Sequence, residues 1–402
     1  MDLEVRAIVE DELAAFVRAD SLAFGATPDL HAVEDLRGRV DLGRTRAVFD
    51  GDDLVAASGT IAFELSLPGA TCVRAAGVSW VGVVPTHRRR GALRLMMGAL
   101  LEDAAARNEA VAILIASESH LYGRFGFGVG TSRLSWRIDR RHAALASPGA
   151  GGGRVELLDA ARAATELPPL FDRARLAQPG DLDRDASWWA AHFREREGPP
   201  DRRANRFHVL HRGPAGPDGY AIYCVEGSWD HGVPKSRLVV HEVVALDPAA
   251  EAALWKYLFA MDLVEVVEAA NRPVDEPLRW LLADPRRLQV SGLRDELWVQ
   301  LLDIPAALAA RRYGADGELV LEVAGAGRYR LSGGTDGARC EPGGGPPDLA
   351  LGPADLGAVY LGGVAPSTLA RAGRVEEHRF GALARADAMF ASHPAPFCRT
   401  GF

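Results

Sequence analysis

Arg88, Arg89 and Arg90 stand in a row before Gly91, where one apolar run ends and another begins (Val81-Gly82-Val83-Val84-Pro85-Thr86-His87-Arg88-Arg89-Arg90-Gly91-Ala92-Leu93). A basic cluster with a glycine at a strand-to-helix turn suits a pyrophosphate. Gly91 lets the backbone come close to a ligand. Unpaired N–H groups at a helix start point at an anion. Arg88 and Arg89 can add charge-assisted hydrogen bonds. The same residues also describe a basic turn on a solvated surface, so the neighbouring segments have to decide.

A second stretch with chemical potential is Leu121-Tyr122-Gly123-Arg124-Phe125-Gly126-Phe127-Gly128. A tyrosine at such an amphipathic position either packs in the core with its hydroxyl satisfied or acts as an acid toward a leaving group. Ser117-Glu118-Ser119 just before it offers a helix N-cap.

The elements around these residues follow a definite order. Arg46 to Phe49 and Leu54 to Leu67 read as strands around the Gly51-Asp52-Asp53 turn. Val73 to Val84 is a third strand, leading into the arginine turn. Gly91 to Arg107 is a helix with Leu93, Leu95, Met96, Leu100 and Leu101 on or near one face. Ala110 to Ala116 is a buried strand, and Ser132 to Ile138 alternates as a last one. Ser147 to Gly153 reads as a linker. The order then repeats: strands at Arg206 to His211, Gly219 to Val225 and Arg237 to Leu246, a helix from Ala249 to Met261, and a strand from Leu263 to Ala269. In place of arginines and glycine this copy has Asp247-Pro248-Ala249-Ala250-Glu251, which would repel a pyrophosphate. In a third segment, Asp295 to Leu302 is a strand, Ile304-Pro305 opens a helix, and Gly317 to Ala324 with Arg328 to Ser332 forms a hairpin.

The order and the two motifs together resemble the GNAT acetyltransferases, and within them the Eis-type (enhanced intracellular survival) aminoglycoside acetyltransferases of actinobacteria. The general GNAT signature is Arg or Gln, two residues, Gly, one residue, then Gly or Ala. Here it reads Arg88, Arg89, Arg90, Gly91, Ala92 and then Leu93, which departs at its last position. The resemblance spans the whole chain. It implies an α+β protein with tandem GNAT folds, the second degenerate, followed by a sterol-carrier-protein-like α/β domain. The corresponding boundaries are 1–142, 143–286 and 287–402. A homohexamer is implied on the same basis.

The resemblance also implies site residues. Acetyl-CoA would lie along the backbone of Val81 and Val83, with its pyrophosphate on Arg88, Arg89, Gly91 and Ala92 and its arm near Ser117. Tyr122 would be the general acid toward the departing thiolate. The α-carboxylate of Phe402 would enter the site as the base, with Glu118 as a rival. Gly401 is not acidic, so one anionic contact for a cationic substrate is missing. The segment from Asp20 to Arg44 falls where GNAT folds place substrate-binding helices. Phe24, Asp29, His31, Glu34 and Asp35 are its acceptor-site candidates, with Trp80 and Phe63 as an aromatic wall. The implied reaction is acetyl transfer to an amine of an aminoglycoside or similar polyamine, by direct attack in a ternary complex. The alternatives are the same chemistry on a protein lysine or another natural-product amine, or a lipid or metabolite carrier without catalysis.

Composition bounds these readings. A chain of 402 residues exceeds one ordinary core. Hydrophobic content of 48% with 25% charged residues is that of a soluble globular protein. The net charge of −8 argues against nucleic acid as a partner and is mildly favourable to a cationic substrate. Cys72, Cys224, Cys340 and Cys398 are far apart, with no metal-ligand spacing, so no metal is expected and a reduced, intracellular protein is. The N-terminus lacks a secretory pattern. No apolar run approaches the roughly 18–20 residues of a membrane span. The expectation is a cytoplasmic protein with no membrane partner.

Overall fold

A computed structural model describes residues 3–28, 30–38, 40–147, 153–194 and 206–402. Within the helix Leu30–Arg37 it leaves out the side chains of residues 30–32 and 35. Asp29 and most of the expected linker at Ser147 to Gly153 therefore lie outside the described residues, as do the side chains of His31 and Asp35. The chain divides into two compact units. One comprises Met1–Thr131, Glu296–His393 and Gly401–Phe402; the other comprises Ser132–Asp295 and Pro394–Thr400.

The first unit is built on a seven-stranded sheet. Its early strands are β1 (Leu3–Arg6), β2 (Ala47–Asp50), β3 (Asp53–Leu67), β4 (Thr71–Val83), β5 (Val111–Ile115) and β6 (Gly128–Val129). Four helices accompany them: α1 (Leu13–Ala23), α2 (Leu30–Arg37), α3 (Ala92–Ala106) and α4 (Ser119–Tyr122). β1 to β4 pair antiparallel, while β4 and β5 pair parallel. Period-two alternation gives the sheet two apolar faces. On one, Leu13, Phe16, Val17 and Ala19 of α1 pack on Phe49, Leu54 and Ala57. On the other, Met97, Leu100 and Ala104 of α3 pack on Ala76, Val78, Ala112 and Leu114. The buried stripe of α3 is Ala92, Met96, Met97, Leu100 and Ala104. Leu95, expected on or near that face, lies off it and is 43% exposed.

Two strands sit in a different sheet from the one their sequence position suggests. Leu297–Leu301, expected in the third segment, enters the first sheet between β5 and β6, pairing Val299 with Ile113 and Trp298 with Val129. Ser132–Asp139, expected as the last strand of the first domain, lies in the second sheet between Gln289–Asp295 and Val264–Arg272. Domains cut after residues 142 and 286 would separate these strands from their partners. The physical reason is that alternation specifies which face a strand buries but not which neighbour it bonds.

The rest of the first unit carries a five-stranded sheet of Ala338–Pro342, Gly327–Gly333, Gly317–Val323, Leu349–Leu351 and Val375–Glu377. Its interior holds Arg311, fully buried among Tyr313, Tyr360 and Phe390. That guanidinium donates to the carbonyls of Tyr360, Phe390 and Arg312.

The second unit repeats the site-bearing order of the first. Phe207–Gly213 and Gly216–Glu226 form a hairpin, Ser236–Ala245 follows, and the helix Pro248–Phe259 returns to the parallel strand Val264–Arg272. This unit also holds Pro394–Thr400 of the chain's end. Asp181 accepts from the backbone N–H of Arg399 at 2.7 Å and from its guanidinium at 2.6 Å. Arg184 donates to Arg399 O and Thr400 Oγ1, both at 3.1 Å, and its guanidinium pairs with Glu242. The last two residues then belong to the first unit. Among the described residues no helix is long and apolar enough to cross a membrane.

Candidate active site

The site is built where β4 and β5 part. Their parallel pairing covers Ala75–Val111, Ala76–Ala112 and Gly77–Ile113 and then stops. β4 continues on β3 as far as Val83. Between Ser79–Gly59 and Gly82–Ala57 the register shifts by one, so Trp80 and Val81 together oppose Ser58. This is a β-bulge, and Trp80 adopts φ +55° in it. A left-handed tryptophan costs on the order of 1–3 kcal/mol and must be held by its surroundings. Its ring packs edge-on to Phe16 at 6.3 Å and lies over Gly59, where an added Cβ would come within 3.1 Å of it. Val84 N–H bonds Val55 O at 3.0 Å. By alternation, Val81 and Val83 direct their backbone groups away from β3 and into the gap left by β5.

The gap leads to the arginine turn. Pro85–His87 makes a single 3-10 turn, Arg89 has φ +63° and Gly91 has φ +91°. Nothing crowds Gly91, so its need for glycine is conformational. α3 starts at Ala92 with no side-chain cap. Its first amides are therefore available to an anion. Arg89 and Arg90 are exposed. Arg88 is exposed but folded back: Nη2 donates to Ala23 O at 2.7 Å and Nε to Val83 O at 3.3 Å. It ties the end of α1 to the turn, a role its sequence position did not signal. At the equivalent helix start in the second unit, one carboxylate oxygen of Asp247 accepts from the amides of Ala249 and Ala250 at 2.8 and 2.9 Å. The protein's own anion fills that place.

Tyr122, after β5, is buried in one cluster with Val78 of β4 and Leu114 of β5, against which Val81 packs. It is buried, edge-on to Phe127 at 6.2 Å, and its phenol is hydrogen-bonded to the Ser117 hydroxyl. Burial pushes its pKa above the ordinary tyrosine value; the Ser117 bond offsets part of that rise, and the Glu118 charge adds to it. Ser117 does not cap α4, whose N-cap position is Glu118 with no side-chain bond. Glu118 is exposed, 4.0 Å from His120 Nε2.

The last residue of the chain is on the α1 face. The Phe402 ring lies 5.0 Å from that of Phe63, and a Cβ on Gly77 would collide with Phe63 at 2.6 Å and approach Phe402 at 3.1 Å. Phe63 shares the face of Gly59 and Ala57 by alternation along β3. Phe63 and Phe402 thus meet over Gly77, on the sheet face that Trp80 also shares three residues further along β4. Phe24 stands 59% exposed just past α1, and Glu34 is engaged by Arg37 at 2.5 Å on the surface. Neither is brought into this group. A residue not singled out from the sequence is Asp20, whose carboxylate on α1 faces Gly82. Its helical spacing from Leu13, Phe16 and Val17 was the available signal.

Comparison with known proteins agrees with this geometry. Residues 4–130 and 180–300 each match a model described as an acetyltransferase (GNAT) domain, and residues 304–399 match a sterol carrier protein domain. An uncharacterized N-acetyltransferase of Streptomyces griseus is 39% identical over 99% of both chains. N-acetyltransferase Eis of Mycobacterium tuberculosis is 36% identical over 85% of this chain and 84% of its own. The crystal structure of Eis1 from Mycobacterium abscessus superposes with a TM-score of 0.88 at 35% identity, covering 99% of this chain and 100% of that one. The chain belongs to the Eis-type GNAT N-acetyltransferases. It is accordingly an acyltransferase of a family that uses acyl-CoA, with two GNAT folds and a sterol-carrier-like domain. An acyl-CoA fits the residues present in two places. The edge of β4 that β5 leaves offers the backbone of Val81 and the N–H of Val83, whose carbonyl accepts from Arg88 Nε, and the uncapped start of α3 offers amides to a pyrophosphate. The second GNAT fold offers no such helix start, because Asp247 occupies it.

Proposed function

We propose that this Eis-type chain is an acetyl-CoA-dependent N-acetyltransferase of small-molecule amines, aminoglycosides or similar polyamines, acting by direct attack in a ternary complex. The observation that carries this reading is the unpaired edge of β4. It runs from the Trp80 bulge to the uncapped helix start at Gly91, with the Tyr122 phenol at the end of β5. Bound there, the co-substrate supplies an activated acetyl group. Val81 and Val83 hold its arm, while Gly91, Ala92 and Arg89 hold its pyrophosphate; Arg88 would first have to leave the Ala23 carbonyl. Holding both reactants in line supplies much of the rate.

An alkylammonium, with a pKa near ~10, is not nucleophilic while charged. The α-carboxylate of Phe402 takes one proton from the ammonium before the C–N bond forms, and the second proton that the nitrogen sheds after attack restores the Tyr122 phenol. As the C–S bond breaks, Tyr122 gives its proton to the sulfur. Its raised pKa keeps the phenol protonated until negative charge develops there. Ser117 orients that phenol. No metal enters this scheme. On the family's pattern the assembly is a cytoplasmic homohexamer, which mass measurement in solution tests.

The test is thiol release from acetyl-CoA with aminoglycosides, polyamines, monoamines and lysine peptides, with mass spectrometry of the products. Amine-dependent release with acetyl groups on an aminoglycoside is the expected result. Release with lysine peptides alone would move the substrate class to protein. Absence of CoA binding would end the enzymatic reading. Extending the chain beyond Phe402 displaces the carboxylate and should depress turnover; a fully active extended protein would return the base to Glu118.

A further inference from the structure

Asp20 has no part in the steps above. It lies on α1 seven residues after Leu13, four after Phe16 and three after Val17, all three of which are buried. At helical spacing it therefore occupies the middle of the apolar face. Its Oδ1 is buried with no hydrogen-bond partner among the described residues, and burial raises its pKa. Opposite it, β4 carries Gly82, where an added Cβ would lie 3.5 Å from Asp20 Cα, 3.6 Å from its Oδ1 and 2.7 Å from Ala23 Cβ. The strand thus has no side chain where the helix presents an acid. Buried polar atoms almost always find partners, and an exception calls for an explanation. Desolvating a carboxylate oxygen without a donor is costly.

The position of Asp20 supplies one. Asp20 faces β4 at Gly82, and the Phe402 ring covers β4 at Gly77. Both lie on the α1 face, on either side of the Trp80 bulge, so two carboxyl-bearing residues flank the stretch of β4 left unpaired by β5. A monoamine needs one of them. A diamine or polyamine brings a second ammonium, which is the kind of donor the Asp20 carboxylate lacks.

We propose that Asp20 is a specificity-determining residue of the acceptor site, anchoring a second ammonium of the amine and so selecting diamines and polyamines over monoamines. This rests on the acetyltransferase reading above. The tests are Asp20→Asn and Asp20→Ala, assayed with α,ω-diaminoalkanes and the matching monoamines. A charge-assisted hydrogen bond of ordinary strength predicts a KM for diamines raised about tenfold or more. Monoamine kinetics and CoA affinity stay unchanged, and Asp20→Glu restores part of the diamine preference. Both variants should fold, since each removes a half-buried acid whose Oδ1 has no partner among the described residues. Diamine preference unaltered in both variants, or CoA affinity lost with it, overturns the proposal while leaving the acetyltransferase reading intact. Wild-type protein that acetylates no amine of any charge overturns that reading and this inference with it.

Discussion

The ring of Phe402 rests against that of Phe63, centroids 5.0 Å apart and planes at 55°, over the bare Cα of Gly77. An aromatic pair of this kind is worth about 0.5–1.5 kcal/mol beyond its burial. Phe63→Ala should release Phe402 to that extent and lower kcat about two- to tenfold. CoA affinity should not change. Steady-state kinetics beside calorimetric CoA titration checks this; a parallel loss of CoA binding would assign Phe63 to the co-substrate side. Gly77→Ala drives a methyl into both rings. It should cost about 1–3 kcal/mol of stability in addition to activity.

Tyr122→Phe keeps the ring packing on Phe127 and removes only the acid. Turnover should fall by about 10²–10⁴-fold with CoA affinity retained. Because the phenol's pKa is raised, it stays protonated through neutral pH. The alkaline limb of the kcat profile should therefore lie above the ordinary tyrosine value of ~10. Ser117→Ala removes the bond that offsets part of the rise, so the limb should move higher still as kcat drops. A limb that moves down in that variant would contradict the assigned role of Ser117.

The turn around Gly91 and the tyrosine motif were legible in the sequence because local rules govern them. A helix start that must stay open needs glycine, and the acidic Asp247 to Glu251 of the second copy speaks against a pyrophosphate there; that Asp247 caps its helix came from the structure. The bulge was not legible. Trp80 carries no sequence mark of a left-handed backbone; it is held by packing on the α1 core, with the Phe16 ring edge-on to it and no side chain at Gly59 beneath it. The exchange of Ser132–Asp139 and Leu297–Leu301 between sheets was hidden because a strand pattern does not name its partner. Part of the tyrosine motif is architectural. A Cβ on Gly128 would meet Ala354 O at 1.8 Å, so that glycine lets the helix Pro353–Tyr360 approach. Asp20 was readable as an acid on an apolar helical face, but not as one set opposite a glycine.

Asp181 is fully buried, and its charge is met by Arg399 through both backbone and side chain. Arg399→Ala leaves the carboxylate without its guanidinium, a loss of about 3 kcal/mol. The double variant Asp181→Asn, Arg399→Ala has no stranded charge and should recover most of it. Chemical denaturation of the two single variants and the double variant gives the coupling. Simple additivity would show that the pair does not hold Pro394–Thr400 in place.

His192 should make stability fall on the acid side. Its Nε2 is buried without a partner among the described residues, Arg206 Nη1 stands 3.4 Å from Nδ1, and the ring stacks on Trp188 at 5.4 Å. Burial, with the Arg206 charge assisting, pulls its pKa down to about 4. In the unfolded chain it titrates near ~6.5. Between those values the unfolded state binds the extra proton, so stability falls as pH falls. The loss begins near pH ~6.5 and is complete once the folded histidine titrates near 4. His208, also shifted down by burial, acts in the same direction. Glu12 and Asp139, held at about 2 by hydrogen bonds from Arg6 and Arg141, lose their contribution only below the ordinary carboxylate range. The two windows therefore separate. Thermal unfolding followed from pH 7.5 to 4 should show a falling Tm that His192→Phe flattens, since phenylalanine keeps the stacking and cannot take the proton. An unchanged slope in that variant would remove His192 as the source.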